Sequence, residues 1–159
     1  MVINLEYKGF DFNVYFDGVS GSDVYWRQYN YFQGMDGTYN TDTWTLNRWK
    51  SEANPGNGMV PRAVIGDPSQ NNRLSTMQIY SGNYLKVKQL SIGYKLPQEL
   101  LSKLGLANVR LYATGYNLLT SSKYAGYDPE FSSPNLNRSR DWNNLPTART
   151  ISLGIQVGL

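Results

Sequence analysis

Residues Thr150–Leu159, TISLGIQVGL, decide how this chain is read. Ile151, Leu153, Ile155, Val157 and Leu159 take alternate positions, with Ser152, Gly154, Gln156 and Gly158 between them. A period of two is the mark of a β-strand with one apolar face. The alternation runs to the last residue, although chain ends usually fray. Such a strand needs a partner for its backbone and an apolar medium for one face.

Similar segments lie upstream. In INLEY, Ile3, Leu5 and Tyr7 share a face; in FDFNVYF, Phe10, Phe12, Val14 and Phe16 do. Lys8-Gly9 between them is a two-residue turn, which sets Tyr7 opposite Phe10 and makes the two apolar faces continuous. In YLKVKQLSIGYKL, Leu90, Ile92, Tyr94 and Leu96 alternate, but Leu85 and Val87 have the opposite parity. Either a bulge switches the faces, or Tyr84–Lys88 leaves the apolar layer. Departure from the layer is the expectation. NVRLYATGYNLL sets Val109, Leu111 and Ala113 against Arg110, Tyr112 and Thr114. Strands are thus placed near 2-7, 10-17, 84-96, 108-118 and 148-159, with long loops over 18-83 and 119-147.

The connections are lopsided. Lys8-Gly9 is minimal and PQELLSKLGLA has room for a helical turn, whereas 18-83 and 119-147 are long. Successive antiparallel strands put alternate connections at opposite ends, so the short ones share one end and the long ones the other. Tight turns on one side and long extracellular loops on the other characterise a transmembrane β-barrel. Tyr7, Phe10 and Tyr94 then fall near one rim, where an aromatic girdle belongs. The expected fold is all-β: an antiparallel transmembrane β-barrel segment.

The alternative is a soluble β-sandwich, which also alternates. Leaving a Leu, Ile, Val or Phe side chain in water costs roughly 1.5–3 kcal/mol. Summed over the outward faces this is on the order of tens of kcal/mol, above the roughly 5–15 kcal/mol that holds a domain together. The faces must therefore meet lipid or one another. The sandwich would be a carbohydrate-binding module, but it gives no reason for the uneven loops.

Composition narrows the chemistry. The 159 residues include no Cys and no His, which excludes disulfides, thiolate metal sites, cysteine nucleophiles and histidine relays. The chain is expected not to be an enzyme and to need no metal or cofactor. The net charge is +3 but only 17% of residues are charged, and no Lys/Arg run exceeds two, so nucleic acid is not an expected partner. The chain is rich in Tyr (13) and Gly (15), a composition that suits strands and turns. No apolar run reaches the roughly 20 residues of a membrane helix. MVINLEYKG lacks the basic stretch and apolar core of a signal peptide.

Candidate contact residues follow from residue type and place. Tyr25, Trp26, Tyr29, Tyr31 and Phe32 form an aromatic loop cluster able to stack on sugar rings. TDTWTLNRWKSE reads as a short helix, capped by Thr41 or Asp42, carrying Trp44 and Trp49 on nearby faces. The two tryptophans either pack the loop from inside or meet a ligand. Trp142 in RSRDWNN is expected to be exposed, beside the local positive charge of NRSR. Arg110 and Tyr112, with Asn13, Tyr15, Thr114 and Gln156, occupy the polar strand face and would hydrogen-bond across the barrel wall or to a plug, with cargo contact open to Arg110 and Tyr112. Asp128 and Glu130 in GYDPEF are close in sequence, but a glycosidase pair needs a set separation and one raised pKa. Loop structure or a cation contact is the simpler role. Asn137 begins an Asn-Arg-Ser sequon of no expected consequence.

The ordered set of motifs resembles one family. YLKVKQLSIGYKLP, NVRLYATGYNLLTSSKYAGYDPE and a Pro-Thr-Ala-Arg-Thr segment leading into ISLGIQVGL look like the C-terminal end of SusC/RagA-type TonB-linked outer-membrane transporters. YKGFDFNVYFDGVSGSDVY and LNRWKSEANPGNGMVPR resemble the hairpin and loop that precede it. The resemblance implies a large plugged barrel in a Gram-negative outer membrane. It implies import of glycan or peptide fragments beneath a SusD-type lipoprotein lid, with energy from the TonB complex. It also makes the aromatic loops candidates for the lid interface. The family typically ends in an aromatic residue, where this chain has Leu159. The final strand would close the barrel against a first strand outside this sequence, so the chain is expected to be a C-terminal portion that transports nothing alone.

Overall fold

The computed structural model describes residues 1–37, 39–130 and 139–158; Asn137 and Leu159 lie outside them, as does the side chain of Leu104. The chain divides into two compact units. One comprises Met1–Gly21, Asn83–Lys123 and Pro146–Leu159, the other Ser22–Gly82 and Tyr124–Leu145.

The first unit is a single antiparallel sheet. Its strands are β1 (Val2–Tyr7), β2 (Phe10–Val19), β5 (Tyr84–Lys95), β6 (Asn108–Ser122) and β8 (Thr150–Gly158), in the order β1-β2-β5-β6-β8. Lys8 and Gly9 both have positive φ, 47° and 85°, the backbone of a hairpin turn whose twist matches its strands. Tyr7 pairs with Phe10, and Phe10 with Tyr94, whose ring lies 4.5 Å away. Helix α2 (Gln98–Leu104) links β5 to β6 and stops at Gly105, which takes the left-handed conformation with φ 67°. Leu101 is the buried anchor of this helix.

Pairing aligns residues into rows across the sheet. One row is Leu5, Phe12, Ile92, Ala113 and Leu153, and its neighbour is Tyr7, Phe10, Tyr94, Leu111 and Ile155. On the other face run Asn4, Asn13, Ser91, Thr114 and Ser152. The apolar face is open: Leu5, Phe10, Ile92 and Leu111 are exposed, and Leu153 is 82% exposed. A sandwich would have buried these side chains against a second sheet, so that alternative is set aside.

Strand β5 corrects one expectation. Tyr84–Val87 does not leave the sheet: Val19 pairs with Tyr84 and Phe16 with Val87, so the strand is continuous. The parity change is a bulge at Lys88, which lies between Val87, paired with Phe16, and Gln89, paired with Tyr15. The bulge has a physical reason. Strict alternation back from Leu90 would put Lys86 and Lys88 on the apolar face. The extra residue instead turns Leu85 and Val87 to that face and Lys86 to the polar one, in register with Asp17. Strand β6 runs on to Ser122, further than its alternation alone suggests.

The second unit is built from the segments read as long loops. Strands β3 (Asp23–Trp26), β4 (Ile79–Ser81) and β7 (Arg140–Asp141) form a small sheet ordered β4-β3-β7, with β3 and β7 parallel. Val24, Trp26, Tyr29 and Tyr124 are its buried core, with Tyr80 packed on them. Helix α1 (Gln28–Phe32) follows β3. The segment around Trp44 is a 3₁₀ turn, Thr43–Asn47, capped by Asp42, whose carboxylate accepts from the Trp44 amide at 3.0 Å. Thr41 does not cap it; its hydroxyl accepts from Thr45 at 2.9 Å.

Candidate functional site

The polar face of the large sheet is cross-linked. Arg110 Nε donates to Asp11 Oδ1 at 2.8 Å, and a second guanidinium nitrogen donates to Oδ2. The pair passes directly over Gly93, where an added Cβ would lie 2.5 Å from both partners. The Arg110 guanidinium also sits 5.0 Å above the Tyr112 ring, and that ring crosses Gly154. Thr114 donates to Ser91 at 3.0 Å, and Asn13 to Asn4. Arg110 and Tyr112, read from sequence as wall or cargo residues, both contact neighbours within the sheet. Glycine at 93 and 154 makes room for them, a dependence that sequence spacing alone does not reveal.

In the second unit the aromatic candidates divide by burial. Trp26 is buried; its indole nitrogen donates to Gln28 at 2.9 Å and its ring meets Tyr80 edge-on at 5.3 Å. Tyr29 is buried beside Trp44, with ring centroids 6.3 Å apart. Burial foremost pushes the phenols of Tyr29 and Tyr80 above the usual tyrosine range. Asp128 is buried, and its carboxylate accepts from the Glu130 amide at 2.9 Å, closing a local turn. Among the described residues, no group of His, Cys, Asp or Glu could hold a metal ion.

Among the described residues, this unit holds a cavity at Trp49 and another at Trp142. Trp49 and Tyr29 line one of about 450 Å³, and the Arg62 guanidinium stands 5.8 Å from the Trp49 ring. Trp142 lines the other, of about 390 Å³, with Arg27, Tyr31, Tyr39 and Asn143. The Arg27 guanidinium lies 4.3 Å from the Trp142 ring centroid, and that of Arg140 lies 5.4 Å from it. Asp141 fixes this corner: its carboxylate accepts from the Tyr124 hydroxyl at 2.5 Å and from the Asn143 and Asn144 amides at 3.0 Å. Tyr124 is correspondingly held protonated far above the usual range, by burial first and by the bond to Asp141 second.

No family model matches the chain. TonB-dependent receptor P3 of Formosa agariphila is 35% identical over 97% of this chain and 15% of its own length. TonB-dependent receptor SusC of Bacteroides thetaiotaomicron is 26% identical over 96% of this chain and 14% of its own. The RagAB peptide importer in its closed-closed state superimposes with a TM-score of 0.79 and 26% identity, over 95% of this chain and 16% of that one. The chain carries the C-terminal part of a SusC/RagA-type TonB-dependent receptor.

This receptor segment spans about 15% of the curated relative it matches at 35% identity. Its sheet belongs to the barrel region of such receptors. Sequence reading missed Arg27, Tyr39 and Asn143 as partners of Trp142. For Asn143 the signal was DWNN, an Asp followed by asparagines that reads as a side-chain-capped turn; nothing local marks Arg27 or Tyr39.

Proposed function

We propose that the chain forms part of the wall and outer loops of a nutrient importer in a Gram-negative outer membrane. The cargo is a glycan or peptide fragment, a SusD-type surface lipoprotein closes over the loops, and the TonB complex supplies the energy. The carrying observation is the two-sidedness of one sheet, with its apolar face open and its polar face bonded to itself. That division suits hydrocarbon on one side and an aqueous lumen on the other. β1 and β8 pair on one side only among the described residues, and unpaired edges are not tolerated inside a bilayer, which supports a wall with further strands on either flank.

The test is genetic and biochemical. A strain lacking the full-length receptor should lose growth on its cargo, and the receptor should fractionate with the outer membrane and migrate as a compact band before boiling. A receptor that partitions into the soluble fraction as a folded monomer overturns the proposal.

A further inference from the structure

We propose that the rim of the large sheet's apolar face, from Arg149 to Lys123, holds the phosphorylated headgroup of a membrane glycolipid whose acyl chains lie on the apolar rows beneath. This rests on the reading of the sheet as a membrane wall, to which it adds one specific lipid.

The apolar stripes end in cations where the two long connections leave the sheet. On β8 the apolar positions run Val157, Ile155, Leu153 and Ile151, and the next position of the same parity is Arg149. On β6, Leu119 and Ser121 pair with Val87 and Leu85 of that face, and Lys123 follows at the next such position. Both basic residues are exposed, as are Leu85, Leu119 and Ile151. The Arg149 guanidinium and the Lys123 ammonium have no hydrogen-bond or ion-pair partner among the described residues.

Each cation stands on anchored backbone. Asn117 takes a left-handed φ of 52°, and its side-chain amide donates to the Ala148 carbonyl at 3.0 Å, which fixes the residue before Arg149. The Ser122 hydroxyl donates to the Asn83 carbonyl at 3.0 Å, which fixes the residue before Lys123.

No acidic side chain of this unit competes for them. Its acidic residues are Glu6, Asp11, Asp17 and Glu99. Glu6 and Asp11 lie by the Lys8-Gly9 turn, and Glu99 is on α2 at the same end of the sheet. Asp17 turns to the polar face, where the Tyr84 hydroxyl donates to it at 3.0 Å. Unopposed cations bordering an exposed apolar face complement an anionic amphiphile, with the guanidinium suited to forking onto a phosphate.

Spacing selects the headgroup. Lys123 lies beyond Asn117, the residue bonded beside Arg149, by a stretch of β6 roughly 20 Å long. A single phosphate cannot meet both cations. A disaccharide phosphorylated at both ends can, with two flexible side chains closing the remainder. Glycolipids of this kind make up the outer leaflet of a Gram-negative outer membrane, the side to which the long loops of a barrel project.

The test uses the full-length receptor in detergent with a photo-crosslinking residue in place of Leu119, which lies between the two cations, so that capture reports this rim alone. The receptor is titrated with lipid A carrying two phosphates, one or none. Half-maximal capture of the phosphate-free form should need roughly 25 times the concentration of the two-phosphate form, about fivefold for each cation, with the one-phosphate form between. Arg149→Gln and Lys123→Gln should each weaken capture of the two-phosphate form roughly fivefold, and together reduce it to that of the phosphate-free form. Lys8→Gln, at the opposite end of the sheet, should change nothing, and inorganic phosphate should not displace the lipid. Equal capture of any two of the three lipids overturns the proposal. So does a double variant that captures like the unaltered receptor, an equal loss with Lys8→Gln, or displacement by inorganic phosphate. Should a variant fail to give the compact band, the three lipids on the unaltered receptor decide alone. A soluble receptor would sink the wall reading, whereas a membrane-inserted receptor indifferent to phosphate would sink this proposal only.

Discussion

Arg110 reaches Asp11 across the backbone of Gly93, linking β6 to β2 over the strand between them. An added Cβ at Gly93 would stand 2.5 Å from the guanidinium and from the carboxylate. Gly93→Val should therefore cost as much as removing the pair, roughly 1.5–3 kcal/mol for a charge-assisted bond. Unfolding of the full-length receptor in detergent by denaturant would measure it. Combining Gly93→Val with Arg110→Ala should cost little more than either alone, since both break one contact. Additive losses would mean that Gly93 matters for another reason.

Leu153 and Ser152 are neighbours in sequence on opposite faces of β8. Against lipid, one row in from the aromatic row of Tyr7, Phe10 and Tyr94, Leu153→Arg should cost roughly 1–2 kcal/mol, between the interface and midplane values. Ser152→Arg, on the polar face, should fall near the ±0.5 kcal/mol of an ordinary surface change. The yield of compact, heat-modifiable receptor reports both. Equal effects would remove the assignment of faces.

The two faces are legible in the amino-acid sequence because a single sheet repeats one rule in every strand, and because Lys8-Gly9 aligns one strand with the next. The second unit is not legible in the same way. Its strands β4 and β7 are only three and two residues long, too short for alternation to register. The parallel contact of β3 with β7 joins loops far apart in the chain, and Tyr124 bonds Asp141 across 17 residues of one of them. Residue type marks Trp26, Tyr29 and Trp142 alike as aromatic contacts; only packing separates the first two, which are buried, from Trp142, which faces a cavity.

Tyr124 gives a pH prediction. Its pKa is raised in the fold above the unfolded value near 10, first by burial and then by Asp141. The unfolded chain therefore loses this proton while the folded one keeps it. The contribution to stability is complete below about pH 10 and declines as pH climbs beyond it. Tyr29 and Tyr80 act in the same direction. Protection of the loop unit from proteolysis should fall in that alkaline range. Tyr124→Phe should lower protection at neutral pH by roughly 1–3 kcal/mol while weakening the alkaline dependence. A phenol titrating near 10 in the folded receptor would contradict the placement.

Lys88 tests the bulge. Without it, the sequence Leu85-Lys86-Val87-Gln89-Leu90 alternates strictly, with Leu85, Val87 and Leu90 on one face and Lys86 and Gln89 on the other. Deleting Lys88 should therefore preserve the assignment of faces and turn the β2–β5 pairing into a regular ladder, with Phe16 opposite Val87 and Tyr15 opposite Gln89 as before. Loss of the bulge would also relax the local twist it imposes. A Leu85→Cys reporter should resist a water-soluble maleimide in the outer membrane both with and without the deletion. Had Tyr84–Val87 instead left the sheet, the reporter would react in both backgrounds. If the bulge were needed for register with β6, whose Asn117 and Leu118 lie opposite it, the deletion would abolish the compact band.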